Sequence, residues 1–138
     1  RGCYAAITRS TSSYLMDGTV PRTMLPSALR QVTGIAQRHD VRVFTLAHAG
    51  DGNLHPVFVF DQRDADERRR VLAAGHDVLA VCVALGGTIS GEHGVGLEKL
   101  DAMSLVFGAE ELRAQRMVKE VFDPAGWCNP GKLLPEPA

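Results

Sequence analysis

The chain has 138 residues, with 15 basic and 16 acidic side chains and a formal net charge of -1. That length supports one core and is too short for two, and the near-neutral balance gives no electrostatic reason to expect nucleic acid or an acidic membrane surface as a partner. No apolar run approaches the roughly 18 residues of a spanning helix, and Cys3, Cys82 and Cys128, odd in number and widely spaced, suit a reducing compartment better than a disulfide framework.

Residues 1–13 show no strong period and read as an irregular arm; residues 14–20 read as one short strand. Pro21 and Pro26 bracket a turn. Ser27 is the expected N-cap of a helix in which Leu25, Leu29, Val32 and Ile35 or Ala36 form one apolar stripe through about His39. His39, beside Asp40 at the helix end, reads as a complement to the helix dipole rather than a catalyst. Residues 41–47 and 57–60 are β-branched and apolar, and Asp51-Gly52 between them is a two-residue hairpin signal. With that pair as the turn, Gly50 faces Asn53, Ala49 faces Leu54 and His48 faces His55. Opposed residues have β-carbons about 4.5–5.5 Å apart, close enough for both imidazoles to reach one ion at bonds of about 2.0–2.1 Å. Pro56 lacks the donor that a central ladder uses and marks a bulge, a ladder end or an edge.

Residues 61–70 are a dense run of mixed charge, the solvated first turn of a helix started by Asp64 or Asp66 and carrying Val71, Leu72, His76, Leu79, Cys82 and Val83. His76 has no partner at ligand spacing and reads as structural, and Cys82 reads as a small buried hydrophobe. Gly86-Gly87 ends this helix. Residues 97–107 hold a short helical segment or turns. A last helix over 110–122 packs through Leu112, Met117, Val118 and Val121 and stops at Asp123-Pro124, with Met103 and Met117 as core filler. The order of elements predicts an α+β domain, a ferredoxin-like antiparallel sheet with helices packed on one face.

Two polar islands carry the candidate chemistry, one from His48 to His55 and one from Ser90 to Gly96. His48 and His55 supply two neutral nitrogen ligands, and a carboxylate such as Glu92 completes a three-ligand set that leaves positions open for water or substrate. A hairpin with its histidines at a wet edge is the plainer alternative, and Asp51 is a turn former in its own right. Glu92 and His93 are adjacent, so a tightly curved loop must bring both to one cavity; Gly91, Gly94 and Gly96 give that freedom. With Glu92 on the ion, His93 remains free as a base. A cation beside a base suits proton removal from an alcohol and equally the activation of water for hydrolysis. The segment from Gly86 to Gly91 lacks the Gly-Lys-Ser/Thr ending of a phosphate loop, and no Gly-x-Gly-x-x-Gly follows a strand, so the residues themselves name no electron acceptor.

Taken together, Met16-Asp17-Gly18-Thr19-Val20-Pro21-Arg22, His48-Ala49-Gly50-Asp51-Gly52-Asn53-Leu54-His55, Gly86-Gly87-Thr88-Ile89-Ser90-Gly91-Glu92-His93-Gly94-Val95-Gly96 and Asn129-Pro130-Gly131-Lys132 resemble the C-terminal domain of FAD-linked oxidases of the vanillyl-alcohol oxidase type. Within that family the motifs are similar to those of the glycolate oxidase flavin subunit and of the D-lactate and D-2-hydroxyglutarate dehydrogenases. The resemblance implies that residues 1–138 are the substrate and metal domain of an FAD-dependent oxidoreductase, a fragment lacking the N-terminal FAD-binding domain and inactive alone. It implies that His48, His55 and Glu92 bind a divalent metal, zinc first, with manganese or iron as alternatives. His93 is implied to take the hydroxyl proton as hydride leaves C2 of the substrate for the flavin, Asn53 to lie near substrate, and Asn129 to lie in a tail that reaches the flavin. The family's substrate-binding arginine lies upstream of the match, which starts around Arg1.

The implied partners are a small 2-hydroxy acid, the FAD-binding domain of the parent chain and an electron-acceptor subunit. The implied location is cytoplasmic, with membrane association through partner subunits. Val20-Pro21-Arg22 is more similar to the glycolate or lactate branch, and no lysine lies in this stretch to meet a distal carboxylate. A metal-dependent hydrolase and a non-catalytic isolated cap domain are the competing functions.

Overall fold

The computed structural model describes residues 12–136; the arm expected up to residue 11, and Cys3, lie outside them. Strand β4 (Asn53–Phe60) is buried along its whole length, as its apolar and β-branched sequence requires of a strand flanked on both edges. β3 (Arg42–His48) pairs antiparallel along one edge, while β1 (Ser12–Leu15) and β2 (Gly18–Thr19) follow each other along the opposite edge. Ser12↔Phe60 and Thr19↔Asn53 belong to one unbroken register, so the single strand expected at 14–20 is present but starts earlier and is interrupted at Met16-Asp17. Ser12 and Ser13, expected in an irregular arm, are in β1.

Pro56 explains the interruption. It sits in the middle of the central strand, not at a bulge, a ladder end or an edge. Met16 N–H donates to Pro56 C=O at 2.8 Å, but the reciprocal bond cannot form because proline has no N–H.

Alternate residues of β4 face opposite ways. Leu54, Phe58 and Phe60 enter the core, where they meet α1 (Leu25–Arg38) through Ala28, Val32 and Ile35 and α2 (Ala65–Ala84) through Val71, Ala74, Val78 and Cys82. Asn53, His55, Val57 and Val59 lie on the other face. The result is the expected α+β arrangement, an antiparallel sheet with its helices on one side.

The helix ends follow local chemistry with one exception. Asp64 caps α2 by accepting from the Asp66 and Glu67 amides at 2.9 and 3.1 Å, and Gly86, at φ 84°, turns the chain after it. Ser27, expected to cap α1, lies inside it: a 3-10 turn at Arg22–Met24 runs straight into Leu25, Met24 is the N-cap residue, and the Ser27 hydroxyl accepts from Gln31 instead. His39 ends α1 and bonds Asp77 at 2.8 Å. A 3-10 turn at Asp101–Leu105 occupies the segment expected to be short and helical.

The last helix, α3 (Ala109–Phe122), departs from expectation. Its stripe of Met117, Val118 and Val121 is exposed, and Phe122 and Trp127 beyond it are 84% and 85% exposed. Met103 is core filler as expected, and Met117 is not. Leu112 packs against the core as expected, whereas the later part of the stripe stays outside it.

One packing contact is tight enough to test. A Cβ on Gly75 of α2 would stand 2.7 Å from Cε1 of Tyr14 and 3.1 Å from Sδ of Met16. Alanine favours a helix over glycine by about 1 kcal/mol, whereas overpacking costs about 1–3 kcal/mol. Gly75→Ala is therefore expected to lower stability, by up to about 2 kcal/mol in urea unfolding, against the helix-propensity trend.

Candidate functional site

His48 stands opposite Asn53, not His55, and His55 stands opposite Leu46. The expected two-residue turn at Asp51-Gly52 is replaced by a four-residue loop at 49–52, in which the His48 carbonyl accepts from both Asp51 and Gly52 amides at 3.0 Å. A long-range contact widens the loop: Val20 N–H donates to Gly52 C=O at 3.0 Å. Gly52, at φ 77°, passes so close to β2 that a Cβ there would lie 2.0 Å from the Val20 carbonyl oxygen. Opposed and next-but-one residues of paired strands share a face, so His48, Asn53 and His55 still project together. The two imidazole centroids are 5.2 Å apart, edge to face.

Glu92 completes the cluster from the loop after α2. The Thr19↔Thr88 bridge, with both amides donating across it at 3.0 and 3.1 Å, docks the start of that loop on β2. One oxygen of Glu92, Oε1, lies 3.1 Å from His48 Nε2 and 3.4 Å from His55 Nε2, and it accepts from Asn53 Nδ2 at 2.8 Å. The ligand-capable atoms of His48, His55 and Glu92 all lie within 4.8 Å of one another. His55 is buried, while His48 and Glu92 are open on their outer side, as a site that admits a small molecule must be.

The tautomer of His55 follows from the ladder. Its Nδ1 lies 3.3 Å from the Met16 carbonyl oxygen, the acceptor that Pro56 leaves without a backbone donor. A carbonyl only accepts, so Nδ1 carries the hydrogen and, in the neutral ring, Nε2 is the acceptor nitrogen on the Glu92 side. His55 Nε2 and Glu92 Oε1 lie 3.4 Å apart, and Asn53 Nδ2 reaches both, at 3.5 and 2.8 Å. Two imidazole nitrogens and one carboxylate form a donor set that suits a divalent cation of the zinc class. Asn53 Oδ1 is buried at this point with no partner, and its amide lies flat on Gly91, where a Cβ would meet it at 2.6 Å.

His93 lies beside the cluster with its ring stacked on that of His55, centroids 5.3 Å apart. Its side chain is exposed. Asn129 is in the C-terminal tail, at φ 47°, and lines an open groove of about 560 Å³ together with Gly96, Val118, Phe122, Cys128 and Leu133. Among the described residues no glycine-rich turn joins a strand to a helix, the arrangement that cradles a dinucleotide pyrophosphate. His76 lines a separate cavity with Tyr14, Glu98 and Asp101.

Sequence reasoning on the residues themselves missed Asp17, Ser90 and Lys99. Asp17 is wholly buried and accepts from the Ser90 hydroxyl and from the Gly91, Glu92 and His93 amides, while Lys99 Nζ donates to its backbone carbonyl at 2.9 Å. Burial alone would push its carboxyl up; the His93 and Glu92 amides, the Ser90 hydroxyl and the Lys99 charge reverse this and hold it well below the usual carboxylate range. Burial pushes Lys99 down despite the neighbouring carboxylate, and lifts the Cys82 thiol to about 11. The one signal available was a charged residue inside the apolar run Tyr14-Leu15-Met16; Lys99 gave none.

A family model described as FAD linked oxidases, C-terminal domain, matches residues 3–133. The glycolate oxidase subunit GlcD of Escherichia coli (strain K12) is 43% identical over 136 residues, 98% of this chain and 27% of its own length. GlcD of Bacillus subtilis (strain 168) is 37% identical over 139 residues, 100% of this chain and 30% of its own. The mitochondrial D-lactate dehydrogenase [cytochrome] of Arabidopsis thaliana is 31% identical over 133 residues, 96% and 23% respectively. The chain thus spans between 23% and 30% of the length of these relatives. The 4-ethylphenol oxidase from Gulosibacter chungangensis, solved with isoeugenol, superposes with a TM-score of 0.61 at 16% identity, over 91% of this chain and 25% of that one, which shows a shared fold.

Restoring the missing ladder donor tests the tautomer argument. Pro56→Ala places an N–H opposite the Met16 carbonyl, in competition with His55 Nδ1. Imidazole ¹⁵N NMR of the metal-free protein is expected to show His55 held as the Nδ1–H form in the native chain and as a mixture of tautomers in the variant.

Proposed function

We propose a function that starts from an established fact: the chain belongs to the family of FAD linked oxidases, C-terminal domain. In this reading it is the substrate- and metal-binding domain of an FAD-dependent oxidoreductase that oxidises a small D-2-hydroxy acid of the glycolate or D-lactate type. A separate FAD-binding domain holds the dinucleotide, and an electron-acceptor subunit reoxidises it. The names of the relatives support the substrate class. The single observation that carries this chain's part is the convergence of His48, His55 and Glu92 on one point, with His93 stacked against His55.

When bound, FAD would supply a two-electron acceptor and a divalent cation, zinc ahead of manganese or iron, would supply charge to grip the substrate's hydroxyl and carboxylate oxygens. His48 Nε2, His55 Nε2 and a Glu92 carboxylate oxygen would hold the cation. Asn53, whose Nδ2 donates to Glu92 Oε1, would lie near the substrate, and Asn129 would meet the flavin from the tail. His93 would take the substrate's hydroxyl proton on an imidazole nitrogen, while the hydride from C2 would need the acceptor that a bound flavin supplies. Protein around this open site would also exclude water, and the exposed Val121, Phe122 and Trp127 support a covering domain.

A metal hydrolase would use the same three ligands to activate water, and family membership speaks for the redox reaction instead. The cellular assignment is the cytoplasm, with membranes reached through partners. Among the described residues no helix is long and apolar enough to cross one.

In the complete flavoenzyme carrying this domain, glycolate or D-lactate is expected to bleach the flavin under anaerobic conditions; no reduction by any small 2-hydroxy acid overturns the reading. His93→Asn is expected to keep its metal while flavin reduction slows by roughly 10²- to 10⁴-fold, the scale of general-base loss. His55→Ala is expected to lose metal and rate together, read by metal analysis and stopped-flow absorbance.

A further inference from the structure

We propose that Asp17 is the positioning residue of the Glu92-His93 loop: its buried carboxylate, bonded to successive donors of that loop, sets where the candidate metal ligand and proton acceptor stand. This rests on the reading of Glu92 and His93 given above.

No helix or strand is present between Ser90 and Leu100. Gly94 and Gly96 adopt φ of 78° and 56°, and Gly91 has only the Asn53 amide above it. A segment of this composition has wide backbone freedom, yet Glu92 and His93 must send adjacent side chains to one site. Asp17 removes that freedom. Oδ2 accepts from Ser90 Oγ at 2.8 Å, Gly91 N at 3.0 Å, Glu92 N at 3.0 Å and His93 N at 2.8 Å. Oδ1 lies 3.3 Å from Glu92 N. Consecutive amides wrapped around one anion form a concave cradle that fixes the local backbone. Ser90 Oγ in turn accepts from Gly94 N at 2.8 Å, which ties the far side of the curve to the same point.

The anchor is itself fixed. Asp17 lies between β1 and β2, and the one register that spans them places it directly across from His55 on β4. The histidine ligand and the loop carrying Glu92 are therefore both referenced to one rung of the sheet. Lys99 Nζ, buried beside Asp17, donates to its carbonyl at 2.9 Å and lies 3.4 Å from Oδ2, which balances the buried charge. With its lone pairs committed inside the protein, Asp17 acts through the loop and not on a ligand.

The test uses the complete flavoenzyme stripped of metal, with Zn²⁺ alone as the titrant. Asp17→Asn keeps the size of the side chain but cannot accept from every donor. It is expected to weaken Zn²⁺ binding by about 10- to 100-fold, the usual scale for residues that orient metal ligands. Ser90→Ala is expected to weaken it less, and Ser90→Thr, which keeps the hydroxyl, to restore it. Ser90 is the readout should Asp17→Asn not fold. A lowered Tm with native Zn²⁺ affinity, in either Asp17→Asn or Ser90→Ala, assigns a merely structural role and overturns the proposal. Failure of the underlying function looks different, because the native protein would then bind no Zn²⁺. Amide exchange at Glu92 and His93 in metal-free protein then reads the anchor alone: faster exchange in the variants supports it and native protection overturns it.

Discussion

Between the β1–β2 edge and β4, two neighbouring rungs rely on side chains, one to replace a missing ladder bond and the other to hold a loop. At Met16 opposite Pro56 the ladder lacks a donor, and His55 Nδ1 takes the vacant carbonyl. At Asp17 opposite His55 the carboxylate gathers the amides of a loop distant in sequence. The first device orients a histidine and the second orients the carboxylate facing it. A regular ladder with Ala in place of Pro and an apolar residue in place of Asp would make a sounder strand and no site. Local rules are commonly broken at such positions, and what compensates must come from elsewhere in the fold.

That compensation is visible in the division of the sheet. The face toward α1 and α2 is a continuous apolar core in which Phe58, Leu54, Val32, Ile35, Val71 and Val78 are almost wholly buried. The opposite face carries His48, Asn53 and His55. Stability and chemistry thus use alternate residues of the same strand. The buried Asp17–Lys99 pair sits at the seam between them. An ion pair of this kind contributes little net stability once desolvation is counted; its use here is to fix one arrangement of polar groups against competing ones.

Much of the fold was legible because the signals were local. The Val32 and Ile35 stripe, the Asp64 cap and the Gly86-Gly87 stop each act within a few residues, and each appears where its chemistry says. The errors have causes outside the local signal that was read. Asp51-Gly52 reads as a two-residue turn, but its geometry answers to Val20, some thirty residues earlier. Ser27 is a good cap in isolation, displaced because the preceding 3-10 turn already delivers a helical backbone. The α3 stripe has the right period, but only Leu112 of it reaches the core. At the site, the converging side chains and the glycine-rich curve were readable from His48, His55, Glu92 and His93, although the pairing of the hairpin was not. Asp17 was invisible as an anchor because its donors lie 73 to 76 residues away.

Those separations also bear on the order in which the molecule can assemble. The β3–β4 hairpin closes over four residues, whereas Glu92 meets Asn53 across 39 and the Asp17 cradle spans up to 76. Closing a longer loop costs more chain entropy before any contact returns it, and contacts distant in sequence tend to form late. The β4 strand and its helices can therefore be in place while the Ser90–Gly96 segment is still searching for its anchor. A nascent chain at that stage would have its histidines aligned and its carboxylate ligand absent, so that a metal ion arriving early finds an incomplete and weakly selective set of donors. On the proposed reading, metal loading would come last, after the sheet has closed.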